Sequence, residues 1–309
     1  MQTILGSGGS ISSDLARSLR HFTDDIRLVS RNPQKVNEDD HLFPADLTDR
    51  EQVFNAVAGS EIVYLIIGLE YNTKVWQQFW PPLMQNVIDA CSENNARLVF
   101  FDNVYSVGGD FVKHITEDSP ISPTSKKGEI RAQVDLMLLD AMKTGKIKAI
   151  IARSADFYGT GIDKSMLMTL IYKNFAAGKK AQWMFNPRVQ HSFTYTPDAG
   201  KATALLGNTP AAYNQIWNLP TDRKSLTGEE WVALFAKEMG KKNKYQLIPG
   251  WMIKLMALFI PFMGEIYEMR YQFDRDFFFD SRKFENYFKY QPTNYVEGVK
   301  EIVQQLTTR

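Results

Sequence analysis

The chain has one cysteine, four histidines, no excess of charge of either sign and no long apolar run, and each shortage removes a class of function. A single thiol, Cys91, excludes an intramolecular disulfide framework. With no activating neighbour in the sequence, it reads as a buried, inert group on a helix. His21, His41, His114 and His191 are scattered without metal-ligand spacing, so no metal site is expected. Each reads as a loop or surface residue, although His191 precedes a short strand and is the one placed to face a pocket. Lys and Arg number 36 against 35 Asp and Glu, a formal net charge of +1. That leaves no global field for nucleic acid or an acidic membrane. Neither a G-x-S-x-G elbow nor a P-loop signature is present. The opening residues lack a basic segment followed by an apolar core, so no secretory signal is expected and the cytoplasm is the default setting. The longest apolar stretch, Trp251–Met263, contains Lys254 and Pro261. It is shorter than the roughly 20 residues of a membrane span, so no integral membrane segment is expected. It reads as a helix covering a pocket or a subunit contact, with interfacial membrane contact as the alternative.

What is present begins at the N-terminus. Met1 to Leu5 form a short apolar run, followed by Gly6-Ser7-Gly8-Gly9-Ser10-Ile11-Ser12 and then the helical pattern Asp14–Leu19. A strand that ends in glycines and opens a helix is a phosphate-binding device. The backbone can approach a pyrophosphate, and the helix N-terminus offers free N–H groups and a favourable dipole.

Strand and helix patterns then alternate. Ile26–Ser30 reads as a strand ended by Arg31-Asn32-Pro33, and a third short strand precedes Ala45-Asp46-Leu47-Thr48-Asp49. Thr48 or Asp49 caps a helix over Glu51–Ala58. The β-branched run Ile62–Ile67 predicts a buried parallel strand ending at Gly68. A helix with Pro81-Pro82 near its start runs to about Asn94. Strands over Arg97–Phe101 and Ile147–Ala152 bracket a helix over Gly128–Thr144. This alternation predicts an α/β fold with a Rossmann-type doubly wound parallel sheet. Residues 1–160 form the dinucleotide-binding domain, completed by strands near 190–220. Beyond it, Met166–Ala177 and Thr227–Met239 read as helices, and Ser192–Thr196 and Gln215–Leu219 as strands. Residues 161–309 are expected to be mainly a smaller C-terminal substrate lobe lying over the carboxyl ends of the strands, with Phe277-Phe278-Phe279-Asp280 in its core.

The ordered motifs resemble the extended and atypical short-chain dehydrogenases/reductases, specifically the NAD-dependent epimerase/dehydratase-like group. Gly6, Gly9 and Ser12 fall on that family's G-x-x-G-x-x-G positions, with serine in place of the third glycine. Asp46-Leu47 matches the step whose acidic side chain accepts from the adenine amino group, a helix cap being the alternative. Arg153–Gly159 resembles the R-x-x-x-x-Y-G segment, and Phe193–Ala199 a later family segment. Trp217-Asn218-Leu219-Pro220 and Leu226-Thr227-Gly228 follow in family order. The resemblance implies cofactor contacts at Gly6, Ser7, Gly8, Gly9, Ser10, Ile11, Ser30, Arg31, Asp46, Leu47, Ile67 and Gly68. An NAD enzyme places a carboxylate where this chain has Ser30-Arg31. A guanidinium and a hydroxyl suit a 2′-phosphate, so NADP is favoured over NAD, with a solvated turn as the alternative for Arg31.

The family's chemistry uses a Tyr with a Lys four residues later on one helix face. This chain departs from it. Lys127 falls at the Tyr position and Arg131 at the Lys position, while Asn103 replaces the hydroxyl residue at the end of the fifth strand. Asn103, Tyr105, Lys127 and Arg131 are the candidate catalytic substitutes, and Tyr158 is a further phenol near a strand end. The alternatives are a solvated or cofactor-contacting Lys127, a packed Tyr105 and a surface ion pair for Arg131. Asp102 reads as a structural acceptor for nearby backbone N–H groups. The resulting expectation is an NAD(P)-binding oxidoreductase or epimerase/dehydratase-like enzyme. Its substrate would be a small polar or sugar-derived carbonyl or alcohol. The alternative is an inactive NADP-binding sensor. The resemblance also implies a homodimer through helices at Trp76–Asn94 and Gly128–Thr144, which Leu136, Met137 and Leu139 permit.

Overall fold

Short apolar runs bounded by turns become the strands of one parallel sheet, and the amphipathic stretches between them cover its faces. The computed structural model describes residues 1–162 and 165–307. In chain order the strands are β1 (Gln2–Leu5), β2 (Ile26–Ser30), β3 (His41–Pro44), β4 (Ile62–Leu65), β5 (Arg97–Asp102), β6 (Ala149–Arg153), β7 (Asp156–Tyr158), β8 (Ala181–Met184), β9 (Gln190–His191), β10 (Phe193–Tyr195), β11 (Gln215–Asn218), β12 (Leu226–Thr227) and β13 (Tyr245–Ile248). The helices are α1 (Ser10–Leu19), α2 (Arg50–Val57), α3 (Thr73–Glu93), α4 (Lys126–Lys143), α5 (Lys173–Ala176), α6 (Thr196–Gly207), α7 (Gly228–Glu238), α8 (Gly250–Met256), α9 (Pro261–Glu268), α10 (Arg282–Phe288) and α11 (Tyr295–Thr307). Two compact units result. One holds Met1–Ser106, Lys126–Ser154 and Pro197–Leu219; the other holds Val107–Ser125, Ala155–Thr196 and Pro220–Arg309.

The first unit is built on a seven-stranded sheet in the order β11-β6-β5-β4-β1-β2-β3. All of its pairings are parallel. Strand β4 shows how alternation divides the two faces. Val63 and Leu65 join the core under α2, α3 and α4, whereas Tyr64 points the other way. There the Tyr64 hydroxyl donates to Gln2 Oε1 (2.8 Å), and Gly207 of α6 lies so close that a Cβ would stand 2.3 Å from the phenol oxygen. Cys91 is buried in α3, and burial pushes its thiol up to about 12.

Several boundaries differ from the sequence expectation for identifiable reasons. Helix α3 starts at Thr73, where Asn72 accepts from the backbone N–H of Lys74 (2.9 Å) and Val75 (3.3 Å). Pro81 and Pro82 therefore sit inside the helix rather than near its start, and they remove the donors for the carbonyls of Gln77 and Gln78. Asp49 caps α2 by accepting from Gln52 N (2.9 Å). The expected helix over Met166–Ala177 is a π-helical turn, Leu167–Tyr172, followed by the short α5.

The second unit packs around aromatic side chains, with Tyr158, Trp183, Trp231 and Tyr295 buried together. Tyr158 is thus a core phenol. Thr227 and Glu230 cap α7 reciprocally, Glu230 N donating to Thr227 Oγ1 (3.3 Å) and Thr227 N to Glu230 Oε2 (2.7 Å). Phe277 and Phe279 are buried, as the expected core role requires. Asp280 then ties its own segment to that of His114, its carboxylate accepting from His114 Nε2 (2.9 Å) and Arg282 Nε (2.8 Å). Burial pushes this carboxyl up, but the hydrogen bonds from Arg282 and His114 outweigh it and hold it down at about 2. A carboxyl near 3.9 when unfolded therefore stabilises the fold fully above about pH 4, and that contribution is lost as pH falls through 2. Asp280→Asn is expected to destabilise the protein by about 1–3 kcal/mol at pH 6. In urea unfolding the gap to wild type should close toward pH 2; a gap independent of pH would contradict the assignment.

Candidate functional site

The chain runs β1, β2, β3 to one side of the sheet and then returns with β4 on the other side of β1. The chain leaves β1 toward β2 on one side and β4 toward β5 on the other, so their adjacent carboxyl ends mark the switch point where open α/β sheets bind ligands. Gly6 makes the approach: it has φ of 98°, and a Cβ there would stand 2.4 Å from the carbonyl oxygen of Ile66. Gly6 N and Ser7 N both donate to Val29 O (2.9 Å each), fixing the turn to β2. Gly8, with φ of 111°, has no heavy atom within 4 Å of where a Cβ would be, and Gly68 is equally open. The serine in place of the third glycine folds back on the turn. Ser12 Oγ accepts from Gly8 N (3.1 Å) and Gly9 N (3.0 Å) and donates to Gly9 O (2.8 Å). No acidic residue stands in the first turn of α1, so the helix brings no negative side chain of its own to its positive end. Ser7 Oγ is enclosed and has no hydrogen-bond partner among the described residues. An open glycine cradle, a helix whose first turn holds no acidic side chain and an enclosed hydroxyl without a partner among the described residues fit the pyrophosphate of a dinucleotide.

The remaining cofactor candidates surround this turn. Arg31 is exposed just beyond β2, with Ser30 half-buried before it. Asp46 Oδ1 accepts from Thr48 N (2.9 Å) and Thr48 Oγ1 (2.8 Å). These bonds hold its carboxyl below the usual range against a small opposing effect of burial, and the charge of Arg31 adds to the lowering. Asp46 thus makes a local turn, and capping of α2 falls to Asp49. Leu47 is buried in the core and Ile67 packs at its edge.

At the carboxyl ends of β5 and β6 lies an enclosed set of charged groups. On α4, spacing i, i+4, i+8 places Lys127, Arg131 and Asp135 on one face. All three are buried, as are Asp102 and Arg153 at the ends of the two strands. Arg131 pairs with Asp102 and lies among aromatic rings, its Cζ 4.2 Å from the Trp80 centroid and 4.8 Å from that of Phe100. Burial pushes the Arg131 guanidinium down to about 10, with Asp135 opposing the shift. Asp135 Oδ2 accepts from Ser106 Oγ (2.8 Å) and Arg153 Nη2 (3.3 Å). Lys127 Nζ reaches Thr73 Oγ1 (3.4 Å) and stands 5.0 Å from the Tyr71 ring centroid. Asn103 Oδ1 accepts from Tyr105 N (2.9 Å), and the Tyr105 ring stacks on Trp76 with centroids 6.0 Å apart.

Four readings change here. Lys127 is enclosed and not solvated, because α4 turns its charged face inward. Arg131 makes a buried ion pair in place of a surface one, and Asp102 accepts that guanidinium rather than backbone N–H groups. His191 is neither loop nor surface. It lies in β9, 1% exposed, with its ring 4.4 Å from Phe273 and 4.5 Å from Phe277, Nε2 2.9 Å from Asp156 Oδ2 and Nδ1 3.0 Å from Gln272 O. Asp135 and Trp80 were not anticipated. Asp135 stands four residues after Arg131 with opposite charge, which is the signal that would have found it.

The sequence profile of the NAD dependent epimerase/dehydratase family matches residues 3–219. No curated protein matches the chain by sequence. Solved structures with the same fold include the UDP-N-acetylglucosamine 4-epimerase from Bacillus cereus, with a TM-score of 0.78 and 16% identity over 100% of this chain and 96% of that one. They also include a dTDP-glucose 4,6-dehydratase from Bacillus anthracis in complex with NAD, with a TM-score of 0.81 and 15% identity over 100% and 97% of the two chains. A third is the UDP-glucose 4-epimerase from Thermus thermophilus in complex with NAD, with a TM-score of 0.79 and 15% identity over 99% of each. At such identities the likeness is one of fold.

Removing one member of a buried ion pair leaves an uncompensated charge in the interior. Asp102→Asn is therefore expected to cost about 3–5 kcal/mol in urea unfolding followed by tryptophan fluorescence. A loss below about 1 kcal/mol, the range of exposed ion pairs, would show that Arg131 does not depend on this partner.

Proposed function

The chain belongs to the NAD dependent epimerase/dehydratase family, and from that premise we propose that it binds a pyridine dinucleotide, NADP in preference to NAD, at the β1–α1 turn. We propose as its substrate a sugar-derived or other small polar carbonyl or alcohol. The observation that carries this reading is the open cradle at Gly8 beside the enclosed, unpartnered Ser7 hydroxyl and a helix end without acidic side chains. The preference for NADP rests on Ser30 and exposed Arg31 at the end of β2, where a guanidinium stands in place of a carboxylate. The substrate class rests on the family and on relatives of the same fold named as sugar-nucleotide epimerases and dehydratases.

The bound nicotinamide supplies hydride chemistry. The side chains at the ends of β5 and α4 orient the reacting oxygen and handle its proton. The Asn103 carbonyl oxygen is fixed by the Tyr105 N–H, which leaves its amide N–H groups to donate to a substrate oxygen. Lys127, enclosed beside Thr73 and Tyr71, takes the family's tyrosine position and is the group proposed to hold or deliver the proton. Arg131 is committed to Asp102 and the indole of Trp80, so its proposed part is to position α4 and the β5 end. Tyr105, stacked on Trp76, is proposed to shape the wall beside Asn103. One observation favours a second reading, an NADP sensor without turnover: no tyrosine occupies the position of Lys127 or the three residues on either side of it.

Calorimetric titration should show NADP binding at least about tenfold tighter than NAD. Arg31→Glu is expected to weaken NADP by about 10- to 100-fold, the value of a charge-assisted contact. Lys127→Met should keep cofactor affinity and lose about 100-fold or more in turnover of a carbonyl panel. Cofactor binding with no turnover of any carbonyl or sugar-nucleotide substrate would leave the sensor reading standing. No affinity for either dinucleotide in a folded sample would end both.

A further inference from the structure

The inward face of α4 is fastened to the sheet at two points, one helical turn apart. Arg131 pairs with Asp102, the last residue of β5, and Asp135 pairs with Arg153, the last residue of β6. Asp102 and Arg153 are also register partners in the sheet. Phe100 and Ile151, two residues before them, are partners too, and both join the core on the α4 side, so by alternation Asp102 and Arg153 face α4. Asp135 reaches across to Arg131 as well, opposing the downward shift that burial imposes on that guanidinium. Two strand ends and two turns of one helix thus close a set in which opposite charges alternate. All four side chains are buried, where solvent does not replace a lost partner.

Asp135 has a further partner. Its Oδ2, the oxygen that takes Arg153 Nη2 (3.3 Å), also accepts from Ser106 Oγ (2.8 Å). Ser106 ends the short turn after β5 that holds Asn103 and Tyr105, and Asn103 ties that turn locally through Tyr105 N (2.9 Å). The Ser106 hydrogen bond hangs the turn from α4. At 1.5 Å of rise per residue, Lys127, Arg131 and Asp135 follow one another about 6 Å apart along the helix axis. Arg131 therefore holds α4 one turn from Lys127, through the residue next to Asn103. Asp135 holds it two turns from Lys127, through the residue three after Asn103. One such link would leave the helix free to swing about it. Two on the same face do not.

We propose that Asp135 is a positioning residue: through Ser106 and Arg153 it holds the Asn103 turn and the Lys127 face of α4 in fixed relation to each other. The inference rests on the proposed roles of Asn103 at the substrate oxygen and of Lys127 at its proton. The test measures NADPH oxidation with a carbonyl panel for the wild type, Ser106→Ala, Asp135→Asn and the double variant, beside crystal structures of the wild type and Ser106→Ala. Ser106→Ala is expected to lower kcat at least about tenfold, since misplacing a reacting group by about 1 Å can cost about 100-fold, and to leave KM and NADP affinity within about twofold. Asp135→Asn should lower kcat in the same way. The double variant should lose less than the product of the two single losses, because both act on one hydrogen bond. Where Asp135→Asn does not fold, Ser106→Ala decides alone. Asp280→Asn, destabilised through His114 and Arg282 instead, should keep its kcat, which separates positioning from stability. In the crystals Asn103 should stand at least about 0.5 Å further from or nearer to Lys127 in Ser106→Ala than in the wild type. An unchanged kcat in Ser106→Ala overturns the proposal. So does a loss shared equally by KM and NADP affinity, a double variant showing the full product, or an equal loss in Asp280→Asn. If the wild type turns over no member of the panel, the enzyme reading fails and the crystals decide the positioning: a displaced Asn103 sustains it, and coincident turns overturn it.

Discussion

The ends of β1 and β4 come closer than any side chain allows, and the candidate site depends on that approach. Gly6 permits it twice over, by a backbone angle that other residues rarely adopt and by leaving empty the space where a Cβ would meet Ile66. The switch point, the opening of α1 and the glycine cradle follow from the strand order around it. Ser12 bonds back to the amides of Gly8 and Gly9 and so ties the turn to the first turn of α1.

The second determinant is the enclosed charge set at the ends of β5 and β6. Three basic side chains, Lys127, Arg131 and Arg153, face two carboxylates, Asp102 and Asp135, all out of water. Arg131 and Arg153 are paired, while Lys127 lies by the Tyr71 ring and the Thr73 hydroxyl. Lys127 and Arg131 therefore lie in the interior and not on a surface helix face, Arg131 paired with Asp102 and Lys127 enclosed beside the start of α3.

The β1–α1 turn was legible because its signal is local: glycines at fixed spacing between an apolar run and a helix. The sheet was legible for the same reason, each strand being a short β-branched or aromatic run. The charge set was not. Its pairs join residues far apart in the chain, Asp102 with Arg131 and Asp135 with Arg153. The buried face of α4 carries Lys127, Arg131 and Asp135, so an apolar-stripe reading turns that helix the wrong way. His191 was misread because the rings that enclose it, Phe273 and Phe277, arrive from more than 80 residues away. Pro81 and Pro82 looked like a helix start because proline favours that place; the Asn72 cap, nine residues upstream of Pro81, overrides the preference.

The central claim is that the opening turn grips the bridging phosphates of a pyridine dinucleotide, and a crystal structure of the protein grown with NADP tests it most directly. Density is expected for the pyrophosphate against the backbone N–H groups of Ser10 and Ile11, with the 2′-phosphate at Arg31. Fully occupied NADP elsewhere on the molecule, or a turn that stays empty at saturating cofactor, would contradict it.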